Sequence, residues 1–546
     1  MKNNLVKIIL FVLVLFVINF MANKYYKRFD LTKDKRYTLS ETTKTILDKL
    51  DENAIIKVYL EGDFPAEFKR LQIETRQHLV ELAAINNHIK FKFIDPLEQS
   101  EKLIKQGLQP SRLSVQEDGK LSEAIVFPWS TITYKDKTEN ISLLTQVSVE
   151  NQEQQLQNSI ENLEYVFSDA IHKVSSEKNQ TIAVLKGNGE LDDIYLVSFL
   201  SQLKQYYNLA PFTLDSVSNH PQKTLEQLSE YDLTIIAKPT EEFTEKEKFT
   251  LDQYITNGGK SLWLIDNVTA ELDSLMQSGQ SLAFNKKLNL TDLLFSYGIR
   301  INYSLIKDAY SSTIRLADGN TGNKTQFNDY IWHYHPFITS KNKHPITKNV
   351  DPVNLRFANT IDTLKNKIKK TVLLQSSDFS KAIGTPVIIS LEDIAKKPEK
   401  KDYNNGNQTL GVLLEGEFNS AYANRVKPYE TSLFKEKSEP NKMVVIADGD
   451  IIANELVKGQ PIDLGVDKFT SIRYGNADFL MNTINYLLDD SGLLQLRSKT
   501  IQLQYLDKEK AYNERSFWQM INVIVPLVIL AFFGIIFTFL RKRKYS

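Results

Sequence analysis

The sequence contains no cysteine among its 546 residues. A chain without cysteine has no thiol nucleophile, no thiolate metal site, no iron–sulfur cluster and no disulfide. Its folded parts therefore depend on the burial of apolar side chains. Net charge is also lacking, because 67 basic residues balance 67 acidic ones and no sustained basic stripe occurs outside the extreme C-terminus. This balance argues against a nucleic acid partner, since nucleic-acid-binding domains carry a basic face or stripe.

Nucleotide-binding motifs are absent as well. The segment KGNGE, residues 186–190, could form a phosphate-binding turn, because backbone amides at the start of a helix bind anions. It lacks the spacing of a dinucleotide fingerprint, and the chain has no Walker lysine–hydroxyl pair. A structural turn is therefore favoured, no cofactor is expected, and any energy from ATP must come through a partner.

Long apolar runs are found at both ends of the chain. Residues 5–22 are either a signal peptide or an uncleaved anchor. An anchor is favoured, because Phe20 would lie third before a cut after Ala22, where signal peptidase needs a small side chain. Residues 517–540 are long enough to cross a hydrocarbon core that requires roughly 20 apolar residues. A buried core helix is the alternative for each run.

The orientation of the second run is predicted by the four cations that follow it. These are Arg541, Lys542, Arg543 and Lys544. They are costly to carry across a membrane and are expected on the cytoplasmic side. With two spans, both termini are then cytoplasmic and residues 24–516 lie outside the cytoplasm. Three basic residues within 24–28 oppose this orientation, but long domains are translocated largely regardless of such charge.

The pattern after the first run predicts a small α/β domain. Thr38 and Glu41 fit a capping box at the start of a short helix. The elements that follow are predicted in the order strand, helix, strand, helix and hairpin strands. This is the order of a thioredoxin-like domain, without redox chemistry because the cysteine pair is missing. An amphipathic helix over residues 150–174 closes the domain, and its His172 has no partner at ligand spacing.

Strands and helices then alternate, which predicts a parallel sheet. Residues 271–440 interrupt this pattern with polar loops and scattered strands and are interpreted as an insertion. In open parallel sheets, the loops after the strands line a binding crevice. Five polar residues occupy such positions and are expected to converge: Asn188, Glu190, Asp266, Asp448 and Asp450.

Oxygen-rich and histidine-rich positions raise two metal-site hypotheses. Four of the strand-end acids, Glu190, Asp266, Asp448 and Asp450, suit magnesium or calcium. They would define a metal-dependent hydrolase, although no nucleophile or general base accompanies them.

His333 and His335 share one face of a predicted strand and could begin a zinc site completed by His344 or Asp329. Packing or surface histidines are favoured for this second group, since the spacing fixes no third ligand.

Several long segments resemble the GldG family, the auxiliary component of a gliding-motility-associated ABC transporter in Bacteroidetes-type bacteria. They are RFDLTKDKRYTLSETTKTIL, KGNGE, VVIADGDII, RYGNADFLMNTINYLLDDSGLLQLRSK and IQLQYLD. The resemblance implies a non-enzymatic subunit in the inner membrane with a periplasmic domain, working with the permease GldF and the ATPase GldA. It also implies a central region similar to class I glutamine amidotransferase-like folds (flavodoxin/Rossmann-type) without their cysteine. Relatives often carry histidine where Asn188 stands, so no role for that imidazole is carried over.

Together these expectations describe an α/β protein with two membrane spans. The expected segments are an anchor (1–23), a thioredoxin-like domain (24–175), the first part of the amidotransferase-like domain (176–275), an insertion (276–440), a return strand and helix (441–492), a juxtamembrane segment (493–516), a transmembrane helix (517–540) and a basic cytoplasmic tail (541–546). Three functions are open: a transporter subunit, a metal-dependent hydrolase and a structural tether in the cell envelope.

Overall fold

The computed structural model is a mixed α/β structure with several sheets. It describes residues 38–145, 152–498 and 508–545, apart from residues 63, 65, 118–119, 322–323, 343, 396–398 and 490–491, together with the helical residues Phe11, Leu13 and Phe16. The remainder of the predicted first span, residues 1–23, lies outside the described residues. One compact unit extends to Lys499 and a second begins at Thr500.

The elements of the described residues are numbered along the chain. The helices are α1 (Glu41–Asp48), α2 (Ala66–Ile85), α3 (Ser100–Lys105), α4 (Gln152–Ser175), α5 (Asp193–Leu203), α6 (Pro221–Leu228), α7 (Glu245–Thr256), α8 (Leu272–Ser278), α9 (Thr291–Ser296), α10 (Asn476–Leu488), α11 (Lys508–Asn513) and α12 (Arg515–Tyr545). The strands of the first half are β1 (Ala54–Val58), β2 (Ile89–Phe93), β3 (Ser111–Glu117), β4 (Lys120–Val126), β5 (Trp129–Tyr134), β6 (Lys137–Ser142), β7 (Thr181–Lys186), β8 (Asn208–Thr213), β9 (Leu233–Ala237), β10 (Lys260–Leu264), β11 (Val268–Thr269) and β12 (Gln280–Asn285). The later strands are β13 (Ile299–Ile301), β14 (Ser304–Asp308), β15 (Ser311–Thr321), β16 (Lys324–Ile338), β17 (Val353–Asn354), β18 (Ile361–Thr363), β19 (Lys369–Gln375), β20 (Ser380–Gly384), β21 (Val387–Ser390), β22 (Thr409–Asn419), β23 (Lys437–Ile446), β24 (Leu456–Val457) and β25 (Gln460–Pro461).

The first sheet has the order β2-β1-β5-β6. Strand β1 is parallel to β2 and antiparallel to β5, and β5 forms a hairpin with β6. The long amphipathic helix α4 contacts α1, α2, β5 and β6. Alternate residues of β1, Ala54, Ile56 and Val58, are fully buried, as expected of a strand with one covered face.

Helix α1 begins later than the predicted capping box at Thr38 indicates. Its N-cap is Ser40, whose hydroxyl accepts from the Thr43 amide at 3.1 Å. The amide of Ser40 donates to Glu164 on α4 at 2.7 Å, while Glu41 pairs with Lys44. The prediction was therefore wrong at the first residue of the helix, because a contact with a distant helix decides where α1 starts.

The main sheet contains seven strands in the order β19-β22-β23-β10-β9-β7-β8. The five strands from β23 to β8 are parallel, as the alternation of strands and helices predicts. One face of the sheet packs with α5 and α10 around Phe199 and Phe479, and the other packs with α6 and α7 around Leu225 and Tyr254. Burial on both faces explains the continuous apolar runs in these strands.

Part of the predicted insertion completes this sheet. Strands β19 and β22 lie within residues 276–440, and both join the main sheet: β22 pairs antiparallel with β23, and β19 pairs antiparallel with β22 at the edge. Residues Leu410–Leu414 of β22 are all buried. The rest of the segment forms smaller sheets around a cluster that includes Trp332, Tyr334 and Phe357. The sequence predicts strands at β19 and β22 but not their partners, because pairing depends on residues far apart in the chain.

Within the second unit, α12 is an apolar helix of membrane-spanning length. Among the described residues, Arg515–Arg543 is the one helix long and apolar enough to cross a membrane by length and composition, with 29 residues and a mean hydropathy of 2.9. It contains Pro526 and ends with the four predicted topology residues, Arg541–Lys544.

Candidate functional site at the ends of the parallel strands

The predicted site residues follow three parallel strands of the main sheet, β7, β10 and β23. Asn188 and Glu190 come after β7, Asp266 after β10, and Asp448 and Asp450 after β23. Parallel strands end at the same edge of a sheet, so these positions share one edge. The structure divides the five residues into two groups with different partners.

The aspartates surround a lysine that the sequence analysis missed. Lys238 directly follows β9, and its ammonium lies 2.7 Å from Asp450 Oδ1, 3.1 Å from Glu271 and 3.9 Å from Asp266 Oδ2. Its side chain is only 7% exposed. We call Lys238, Asp266, Glu271, Asp448 and Asp450 the lysine cluster. The sequence feature that could have indicated Lys238 as a site residue is its position directly after a buried strand.

Backbone amides bind three further carboxylate oxygens of the lysine cluster. The Gly449 amide donates to Asp266 Oδ1 at 2.6 Å, and the Asp450 amide donates to Asp448 Oδ1 at 2.7 Å. The other oxygen of Asp448 accepts from the Arg356 amide at 2.5 Å. Asp448 thus forms a tight turn at the end of β23 and joins that turn to a distant segment of the chain.

Burial shifts the pKa values within the cluster. It raises the pKa of Asp266 to about 6, against the opposing effect of Lys238. Burial, with the neighbouring charges of Asp266 and Asp450, raises the pKa of Asp448 well above its usual range. Burial by itself would lower the pKa of Lys238, but Asp450, Asp266 and Glu271 outweigh it and raise that pKa. The lysine therefore stays charged, and desolvation instead raises the pKa values of Asp266 and Asp448.

The backbone of the cluster is closely packed and strained. Lys238 has a φ of 54°, in the left-handed region that non-glycine residues rarely adopt. Gly449 lies directly against it: a Cβ added to Gly449 would be 2.6 Å from the Cβ and 3.0 Å from the Cα of Lys238. Position 449 requires glycine because Lys238 approaches it closely. The φ of Gly449 is −79°, which any residue can adopt.

A segment of the chain crosses the ends of β10 and β23. We call residues 354–360 the crossing segment. The amide of Asn359 donates to Ala447 O at 2.8 Å, and Asn359 Oδ1 accepts from the Asn267 amide at 2.6 Å. Phe357 within it has a φ of 52° and is buried. Part of the predicted crevice is therefore filled by the protein itself.

Asn188 and Glu190 form a second group in the turn after β7. The carbonyl of Asn188 accepts from the amides of Thr240 and Glu241 at 3.0 and 2.9 Å. The Asn188 amide donates to Glu190 Oε2 at 2.8 Å. Neither residue bonds to the lysine cluster among the described residues. Within the described part of the chain, Asn188 Oδ1 and Glu190 Oε1 are buried without a hydrogen-bond partner, and burial raises the pKa of Glu190.

The acids of the lysine cluster are arranged around a lysine ammonium. Among the residues that the structure describes, no three His, Asp or Glu side chains lie close enough together to hold a metal ion. A group of carboxylates of this kind would suit a hard metal cation. In this structure the ammonium of Lys238 supplies the positive charge instead.

The predicted histidine group is dispersed. His333 Nδ1 lies 2.9 Å from Asp308 O, and buried His335 packs edge-on against Phe357. His344 packs against Tyr486, and Asp329 pairs with Arg315. These side chains have separate partners, so the zinc hypothesis does not fit the structure.

The fold and the apolar helix define a membrane-associated α/β protein. Residues 179–483, more than half of the chain, match the model of the family described as "ABC-type uncharacterized transport system". The chain belongs to this family, so it has a role associated with an ABC-type transport system. Residues 33–133 match a domain of unknown function, DUF7088.

Two further proteins are similar to this chain. An uncharacterized protein of Borreliella burgdorferi is 21% identical, over 100% of this chain and 99% of its own length. A solved structure entitled "mmIFT52 N-terminal domain" is 14% identical with a TM-score of 0.32, over 57% of this chain and 99% of its own. That structural likeness is too distant to assign a fold.

Proposed function

We propose that this protein is a non-enzymatic, membrane-anchored subunit of an ABC transporter complex that works with a permease and an ATPase. The match to the transport-system family over residues 179–483 carries this proposal. The apolar helix α12 supplies a means of holding the chain in the membrane beside a permease. Energy comes from the partner ATPase, since the chain has no P-loop.

The strand-end geometry supports a role without catalysis. Lys238 pairs with Asp450 and Glu271, and backbone amides bind Asp266 and Asp448. Carboxylates engaged in this way are not free to act as metal ligands or as general bases. The crossing segment also covers the ends of β10 and β23, part of the edge where a substrate of an open α/β sheet would bind. Both features favour a scaffold over a hydrolase.

We further propose the arrangement implied by the resemblance to GldG. The complex is the gliding-motility-associated type, its partners are GldF and GldA, and the chain crosses the bacterial inner membrane twice with its large domain in the periplasm. The order β2-β1-β5-β6 supports a thioredoxin-like first domain. The parallel strands between α5, α6, α7 and α10 support an amidotransferase-like second domain.

Co-purification from native membranes tests the transporter role. The full chain carries an affinity tag and is extracted in a mild uncharged detergent, and bound proteins are identified by mass spectrometry. Recovery of an ABC permease together with its ATPase is the expected result. Recovery of the chain alone, or with envelope proteins but neither transporter component, would overturn the proposal, and the latter would favour the structural tether.

Two variants make the experiment more specific. Replacement of α12 by an unrelated transmembrane helix should abolish recovery of the permease if the span itself docks on it. The double variant Asp448→Asn and Asp450→Asn should still recover both partners and, in a gliding organism, support motility. A folded, assembled double variant that loses motility would contradict the non-enzymatic scaffold and indicate a functional site in the lysine cluster.

A further inference from the structure

One face of the first sheet carries three lysines, and the described elements cover it at one end, where Tyr59, Ile94 and Trp129 pack with Leu103 and Leu108. Helices α2 and α4 pack on the opposite face, against β2 and against β5 and β6, and the buried residues of β1 point that way. The three lysines of the first face are Lys57 of β1 and Lys90 and Lys92 of β2. Lys90 and Lys92 are exposed and Lys57 is half-buried. We call these three residues the lysine face.

The register places the charges side by side. Lys57 is directly opposite Lys92 in the parallel pair, and Lys90 is opposite Ile55. Like charges at directly opposed positions destabilise a sheet. The neighbours of Lys57 and Ile55 on β5 are Thr131 and Thr133, so no acidic residue on the adjoining strand offsets the repulsion.

None of the three lysines has an ionic partner within the described part of the chain. No ion pair or side-chain hydrogen bond involves Lys57, Lys90 or Lys92, whereas Lys135 at the end of β5 pairs with Asp51. The threonines beside them bond across the hairpin, Thr131 to Asn140 at 2.8 Å and Thr133 to Thr138 at 3.2 Å. The charge of these three lysines is therefore not neutralised by the described elements, in a chain with no net charge.

The shape and composition of the lysine face suit an extended anionic surface. Small ligands bind in concave pockets, and these lysines stand on the pleated surface of two strands. Ile55, 44% exposed, lies among them. In amphipathic helices that lie in a lipid headgroup layer, lysines accompany apolar side chains, and Ile55 with these lysines offers the same combination on a sheet. The apolar helix α12 gives the chain a means of being held at such a layer.

We propose that the lysine face binds the phosphate-bearing headgroups of anionic lipids. The lysine ammoniums contact the phosphates, and Ile55 enters the headgroup region. Binding of this kind weakens with salt, because exposed charges are screened over about 8 Å at physiological ionic strength. The proposal concerns a lipid surface and is independent of the transporter partners.

Amine labelling of the full chain tests the proposal. The protein is held in nanodiscs of phosphatidylcholine alone, or of phosphatidylcholine with 30 mol% phosphatidylglycerol, and the acetylation rate of each lysine is measured by mass spectrometry. A third sample holds the protein in phosphatidylcholine nanodiscs and adds separate vesicles that contain phosphatidylglycerol. The expected result is slower acetylation of Lys57, Lys90 and Lys92 with anionic lipid in at least one arrangement, reversed by 0.5 M salt.

Charge-reversed variants provide the matched control. Replacing the lysine face by glutamate should reduce vesicle binding by roughly 100-fold, since each lysine near an anionic surface contributes about fivefold. Replacing three other exposed lysines of the same domain, Lys69, Lys102 and Lys105, changes net charge equally and should leave most binding intact.

Three outcomes would overturn the proposal. The first is equal loss of vesicle binding in both charge-reversed variants. The second is an absence of protection both in the two lipid arrangements and in a further sample that holds polyglutamate in place of anionic lipid. The third is protection by polyglutamate but by neither lipid sample, which would instead indicate an acidic protein partner.

Discussion

The ammonium of Lys238 lies 2.7 Å from the carboxylate of Asp450, although 212 residues separate them in the chain. This contact joins the ends of β9 and β23, strands that lie on either side of β10 in the main sheet. Asp266 and Glu271 also surround the ammonium. Two of the four acids that the sequence marked as a possible metal site, Asp266 and Asp450, thus belong to an internal ion-pair network.

Removal of the lysine should leave this network with uncompensated charge. We expect Lys238→Met to lower the free energy of unfolding by about 3–5 kcal/mol, the usual cost of breaking a buried ion pair from one side. Thermal unfolding of the purified full chain in detergent measures the loss. The same substitution at exposed Lys223 is the control and should change stability little. A Lys238→Met protein as stable as this control would show that the network contributes nothing.

The turn after β23 should not tolerate a methyl group at Gly449. The φ of Gly449, −79°, suits any residue, so Gly449→Ala introduces only a clash with Lys238. We expect a loss of about 1–3 kcal/mol, the usual cost of overpacking. Gly384→Ala is the matched control, because a Cβ there meets nothing within 4 Å. Equal unfolding temperatures for the two variants would contradict this close packing.

The pH dependence of stability should reflect the raised pKa of Asp266. A carboxyl whose pKa is about 6 in the folded protein and 3.8 as its reference binds protons more tightly when folded. Its contribution to stability is therefore fully present below about pH 4 and is lost as pH rises to about 6. Asp266→Asn removes this titration.

Relative to the wild type, Asp266→Asn should gain on the order of 1–3 kcal/mol between pH 4 and pH 7. Unfolding midpoints of the two proteins, measured side by side across this range, give the difference directly. A constant difference between them would show that Asp266 does not titrate with a raised pKa.

The absence of cysteine allows the membrane orientation to be mapped without a background signal. We expect Val426→Cys, at a side chain that is 94% exposed, to react with a membrane-impermeant maleimide added to intact spheroplasts. Ser546→Cys, beyond the basic residues 541–544, should react only after the membrane is opened. The unmodified chain should remain unlabelled. Labelling of Ser546→Cys in intact spheroplasts would overturn the predicted orientation.

Much of the secondary structure was accessible from local patterns. The apolar runs at β7, β9, β10 and β23 predicted parallel strands because each strand is buried on both faces. The apolar run before Asp448 predicted that this residue follows a buried strand, and the structure has Asp448 accepting two amide hydrogen bonds at that strand end. The start of α1 was misplaced, because Glu164 on α4 binds the Ser40 amide.

The candidate site was only partly accessible from the same patterns. Glu271 and Lys238 carry no motif, and a lysine after a strand usually extends into solvent. Only the packing of β9 between β7 and β10 places Lys238 among the aspartates. The crossing segment was also missed, because its hydrogen bonds join residues about 90 positions apart.

The sequence by itself determined the alternation of strands and helices, the apolar C-terminal helix and the acidic strand ends, because each depends on neighbouring residues along the chain. Tertiary structure alone decided that β19 and β22 complete the main sheet, that Lys238 supplies the cation for the aspartates, and that residues 354–360 cross the strand ends. These features depend on which distant segments come into contact when both faces of the sheet are buried. Local sequence patterns do not predict those contacts.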